Sequence, residues 1–185
     1  MGFLSVIMMD YIKTWKEVIL KPDKFFMKMP ITGGYADPLS FAATSYIIAL
    51  ILSVLVSFSM LTMDGSESSF SDLKAISVIL GVGLLLVFVS FLILSLIANL
   101  LYRALGGTGS YEGTVRFASY ASAALVFLTV PYVVSVSVIY EMYLLIVGGM
   151  VVHNVSMGKS MIAVFLSFFL PSTIWTLVIL LGFVH

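Results

Sequence analysis

Residues 103–124 read RALGGTGSYEGTVRFASYASAA, and long apolar runs lie on both sides of them. Gly106, Gly107 and Gly109 make a turn that tolerates positive φ and exposes successive backbone N–H groups. Ser110 is placed to cap the helix that follows, with Tyr111 and Glu112 in its first turn. Further on, Ala118, Ser119, Ala121, Ser122, Ala123 and Ala124 give the composition of a helix that other helices approach closely. The stretch is a polar turn between apolar helices, and it sets how the rest of the chain divides.

Composition makes those helices membrane spans. Hydrophobic residues are 61% of the chain, charged residues 10%, and mean hydropathy is +1.17, so too little polar surface exists to cover a soluble domain. Nine Lys plus Arg balance nine Asp plus Glu, which gives no reason to expect nucleic acid as a partner. The absence of cysteine excludes disulfides and thiolate-bound metals.

Upstream of the turn, residues 38–63 run 26 positions without a charge, more than the ~20 that cross a ~30 Å hydrocarbon core. Pro38 suits the first turn of this span, where its missing N–H costs nothing. Residues 64–72 (DGSESSFSD) form a polar loop in which Ser71 or Asp72 caps the next helix. The second span is 73–102; Gly81 and Gly83 either allow close helix approach or are simply tolerated in lipid, and Asn99 lies near its end. Downstream, residues 115–152 are too long for one helix, and Pro131-Tyr132 with Ser135 and Ser137 is the expected hairpin. That gives a third span at 114–131, a fourth at 136–153 and, after VVHNVSMGKS, a fifth at 161–184 with a kink expected at Pro171.

Residues 1–37 differ in kind. Over 3–20, Phe3, Leu4, Ile7, Met8, Tyr11, Ile12, Trp15, Val18 and Ile19 fall on one half of a helical wheel, opposite Asp10, Lys13, Lys16 and Glu17. These charges also interrupt the apolar patch before a signal core forms. The helix either lies in the membrane interface, with Tyr11 and Trp15 at headgroup depth, or docks on the rest of the protein. Residues 20–38, with three prolines, three lysines and Gly33-Gly34, read as an irregular interfacial segment anchored by Phe25 and Phe26. The fold class is thus all-α: a polytopic membrane domain at 38–185 with five transmembrane helices, preceded by an N-terminal amphipathic interfacial helix. Eight of nine basic residues (Lys13, Lys16, Lys21, Lys24, Lys28, Arg103, Arg116, Lys159) fall on one side and only Lys74 on the other. The positive-inside rule puts the N-terminus and glycine turn in the cytoplasm and the C-terminus outside, in the cell membrane.

Candidate chemistry is sparse. The glycine turn lacks the lysine and Ser/Thr of a phosphate-binding loop, and Glu112 would repel an anion. Glu141, about one turn inside the fourth span, is either an ion, proton or polar-substrate contact, or a carboxyl hydrogen-bonded to Tyr or Ser hydroxyls or reaching the outer interface. His153, with Asn154, sits at a helix end and reads as interfacial; the other histidine, His185, is expected on the opposite side, so no metal site is expected. No catalytic motif is present, no enzyme is expected and no cofactor is implied.

Pro22–Phe26 (PDKFF), Gly33-Gly34, Asp37-Pro38-Leu39, LGGTGSYEGTVRFASYASAA at 105–124, a hairpin at Val130-Pro131 and Val147-Gly148 leading to His153 together resemble the Yip1 domain family in its prokaryotic form. The most specific part is Leu105 to Tyr120; the family often carries a proline four residues after that tyrosine, where this chain has Ala124. The resemblance implies a non-enzymatic integral membrane protein that organises membranes or partner proteins. Eukaryotic members act in the early secretory pathway with Rab-type GTPases, vesicle formation and membrane shaping, partners not expected here. It makes the N-terminal segment and the glycine turn the partner-facing surface, for a cytoplasmic protein or a second copy of the chain. With the residues read above, the positions of interest are Asp37, Pro38, Gly107, Gly109, Tyr111, Glu112, Tyr120, Glu141 and His153. The alternative function is a conduit for a small solute, ion or lipid, with Glu141, Asn99, Tyr120, Tyr140 and Tyr143 along a polar path.

Overall fold

The computed structural model describes residues 3–63, 70–129 and 133–182, and all regular structure in them is helical. The order is α1 (Phe3–Leu20), α2 (Pro22–Lys28), α3 (Ala36–Met63), α4 (Phe70–Ala104), α5 (Tyr111–Ala121), a 3-10 segment (Ser122–Thr129), α6 (Val134–His153) and α7 (Met157–Gly182). Among the described residues, three helices are long and apolar enough to cross a membrane: Ala36–Ser59, Gly81–Ala104 and Val134–His153. Met157–Pro171 is a shorter apolar helix, and the set is that of an integral membrane protein.

Several boundaries moved from their sequence positions for identifiable reasons. The segment expected to be irregular contains α2, which starts on Pro22, a residue suited to the first helical turn. Phe26 is fully buried, and Phe25 packs edge-on against Phe26 and Tyr120, so these rings anchor to protein. Pro38 lies in the first turn of α3 and is buried, as its missing N–H allows. α4 begins at Phe70, so Ser71 and Asp72 lie inside its first turn and not before it; residues 64–69 of the expected loop fall outside the described residues. The expected hairpin at Pro131 and Tyr132 also lies outside them, while Ser135 and Ser137 are already within α6. α7 continues through Pro171.

The largest departure is in the expected third span, which is α-helical only to Ala121 and then tightens into eight residues of 3-10 helix. The carbonyls that lose their α-helical partners there are taken by other elements. The Trp15 indole donates to the Ala123 carbonyl (2.9 Å) and the Ser137 hydroxyl to that of Ala124 (2.7 Å). With those acceptors satisfied from outside, the change of helix type leaves no buried orphan at either position. Ala121, Ala123 and Ala124 are fully buried, which lets α1, α3 and α6 pack against this segment at close range.

α1 has both an amphipathic sequence and a docked position. Tyr11 packs on Phe41 with tilted rings at 4.8 Å and shares a 3.0 Å hydrogen bond with Ser45; Trp15 packs on Phe127 and Val18 is fully buried. Asp10, Lys13, Lys16 and Glu17 remain exposed. Tyr11 and Trp15 are therefore used against the protein.

Candidate functional site

The glycine turn closes over His153. Gly106 alone of its glycines has positive φ (88°); Gly107 and Gly109 are required for space. A Cβ on Gly109 would lie 2.7 Å from His153 Nδ1 and 2.7 Å from the Val152 carbonyl, and one on Gly107 would lie 2.8 Å from the Tyr102 carbonyl. The N–H groups that suggested an anion nest are used internally: Gly106 donates to Arg103, Gly107 to Tyr102 and Thr108 to His153. Asn154, in the left-handed conformation (φ 52°), ends α6 directly beneath the turn.

His153, at the end of α6, is fully buried within the protein. Its ring stacks on Tyr102 (4.2 Å, 5°) and meets Phe117 edge-on. Nε2 shares a 2.8 Å hydrogen bond with Thr114 Oγ1, whose remaining partners are the Ser110 carbonyl (3.1 Å) and Asn99 Oδ1 (3.3 Å). Thr114 has one proton for these acceptors, so the arrangement that satisfies most groups has Nε2–H donating to Thr114 and Thr114 donating onward. Nδ1, pressed against Gly109, is then an acceptor, and it has no partner among the described residues. Tyr102 is fully buried and bonds Ser160 (2.8 Å), which donates to the Ile146 carbonyl. Gly149 makes room for Tyr102, and Gly148 for Phe117.

A second clip joins the N-terminal segment to α5. Ser110 caps α5 by accepting from Gly113 N–H (3.1 Å), as its position implied. Glu112 accepts from Gly34 N–H (2.6 Å), and buried Arg116 donates to the Gly34 carbonyl (2.6 Å) while lying 3.9 Å from Glu112. Gly33 and Gly34 both have positive φ, which explains the pair. Tyr111 donates to the Leu92 carbonyl (3.3 Å), Tyr120 lies between Phe25 and Phe41, and Asp37 is exposed at the start of α3. Burial pushes the Tyr11 phenol above its ordinary pKa, opposed by its bond to Ser45.

Glu141 stands apart from all of this. It lines a cavity of about 340 Å³ together with Tyr46, Phe91, Leu125, Leu145 and Ser167. It lies seven residues into α6, roughly 10 Å along the axis, deeper than the single turn expected. No hydrogen bond or ion pair joins it to another described residue. The residues expected to share a polar path with it are used elsewhere: Asn99 bonds Thr114, Tyr140 donates to the Ile19 carbonyl and Tyr143 packs on Tyr140. Tyr46, Tyr102, Thr114 and Ser160 went unread in the sequence. The signal for Tyr102 was present in Gly148-Gly149, since paired glycines inside a helix mark a bulky neighbour.

No curated protein and no solved structure matches this chain. The model of the Yip1 domain matches residues 16–183, from the last residues of α1 through the end of α7. It takes in the glycine turn, the buried His153 and the Gly33-Gly34 clip alike, and the chain belongs to the Yip1 domain family.

Proposed function

We propose that this chain is a non-enzymatic membrane protein that organises the bilayer or partner proteins through its N-terminal helices. The observation that carries this reading is the attachment of α1 and α2. Tyr11, Trp15, Phe26 and the Gly34 clip hold them against the α3–α5 end of the bundle, while Asp10, Lys13, Lys16, Glu17 and Lys24 stay exposed. A charged, rigidly held surface suits contact with a cytoplasmic protein, a second copy or anionic headgroups. The topology that goes with it has five spans, with a cytoplasmic N-terminus and the C-terminus outside. In support, α5 and the 3-10 segment together reach about 32 Å at ~1.5 and ~2.0 Å per residue, enough for a hydrocarbon core.

The test is reconstitution of the full chain into liposomes containing anionic lipid, with vesicle shape followed by electron microscopy. The wild type narrows the vesicles, and Lys13→Glu with Lys16→Glu, both exposed, removes the effect without unfolding the protein. Vesicles indistinguishable from empty ones, with no bound partner, would overturn the organising role. Because the chain has no cysteine, single cysteines at Lys24 and Asn154 read the orientation directly through a membrane-impermeant thiol reagent.

One observation favours a second reading, a conduit for an ion, small solute or lipid: Glu141 in its cavity. Ion leak and lipid translocation that vanish in Glu141→Gln would establish it; flux no greater than in empty liposomes would remove it.

A further inference from the structure

The cavity beside Glu141 has a shape as well as a carboxyl. Along α4 its wall runs from Val87 to Tyr102, and fifteen residues at ~1.5 Å make about 22 Å. About 340 Å³ spread over that length is an elongated cavity, one that an extended chain can follow. Its surface is mostly apolar, from Phe91, Leu94, Leu125 and Phe168, with Glu141 and Tyr46 as polar groups and the hydroxyls of Ser90, Ser95, Tyr102, Thr114 and Ser167 also in the wall. A small number of polar groups in an otherwise apolar cavity of this size is the usual form of a small-molecule site.

A carboxyl in the membrane interior is costly, and its usual resolution is a partner in the protein or in a bound molecule. Glu141 has no such partner among the described residues. We infer that the slot is a binding site for one single-chain amphiphile with a hydrogen-bond-donating head, a long-chain amine or alcohol, whose head meets Glu141 and whose chain lies along α4. A long-chain carboxylate is the wrong ligand, because its head would face Glu141 with like charge. The assignment deepens the conduit reading by naming the occupant. It requires binding only, so it is read separately from flux.

The experiment uses the full chain in lipid nanodiscs, where no second compartment exists and transport cannot contribute. Diazirine-bearing dodecylamine, dodecanol and dodecanoate are photocrosslinked over a range of concentrations, and the labelled residues are mapped by mass spectrometry. Amine and alcohol should label the cavity walls of α4, α6 and α7 saturably, with dodecanoate at least about tenfold weaker because like charges in a low-dielectric site repel strongly. Glu141→Gln should weaken the amine about tenfold or more and spare the alcohol, since the amide oxygen still accepts a hydrogen bond. Ala98→Leu, which fills the slot with an apolar side chain, should weaken both. Equal labelling by all three probes, non-saturable labelling spread over lipid-facing Leu85, Leu96 and Leu100, or amine labelling unchanged in Glu141→Gln would each overturn the site. The wild-type comparison of the three heads decides the matter even if a variant fails to fold.

Discussion

Around His153 most polar atoms have partners and the glycines bring backbone and side chains into close contact; Glu141 faces a cavity and has no hydrogen bond or ion pair to another described residue. Both residues lie on α6, twelve positions or roughly 18 Å apart. One helix therefore carries a closed end and an open middle. The difference teaches how to separate structural from functional polarity in a membrane protein. At the closed end Thr114, Asn99, Ser160 and Tyr102 tie four segments together, and the polar residues specify the packing. In the middle Glu141 has no hydrogen bond or ion pair to another described residue and lines the cavity.

The comparison breaks most sharply at Gly149. A methyl group there would occupy the place of the Tyr102 hydroxyl, which is fully buried and bonded to Ser160, so Gly149→Ala should cost about 3 kcal/mol. A loss of folded protein in size-exclusion chromatography from detergent checks it; wild-type behaviour would mean that the closed end is looser than described. Gly109→Ala pushes a methyl onto His153 Nδ1 and the Val152 carbonyl, and about 2 kcal/mol of destabilisation is expected, measured as a lowered thermal midpoint. Trp15→Phe keeps the ring against Phe127 and deletes the indole donor to Ala123, for about 1 kcal/mol. Its midpoint should fall between those of the wild type and Gly109→Ala. Glu141→Gln, by contrast, should leave stability unchanged or raise it by up to about 1 kcal/mol, since a neutral amide is easier to bury. A clear loss of stability in this variant would show that Glu141 has a structural partner and would erase the contrast between the two regions.

The sequence was most legible where a single element decides its own state. The charge-free run after Asp37 became α3, Ser110 caps α5 as its spacing implied, and α6 ends at His153 where the fourth span was placed. It was least legible where distant segments meet. The 3-10 turn after Ala121 depends on Trp15, more than a hundred residues upstream, and no local pattern announces that. Gly107 and Gly109 read as conformational glycines, although their need is for space over His153. Glu112 read as a group that would repel an anion, and it is the acceptor that holds Gly34.

Hydropathy and the LGGTGSY segment pointed by themselves to an all-helical membrane protein of the Yip1 domain family, because apolar runs of more than about 20 residues satisfy their backbone groups in lipid as helices. Tertiary structure alone decided that His153 is sealed under the glycine turn, that α1 is fastened to the bundle and that Glu141 faces a slot. Each of those depends on which side chains of separate helices come within a few ångströms of one another, and a helix's own periodicity says which face is apolar but not what lies against it.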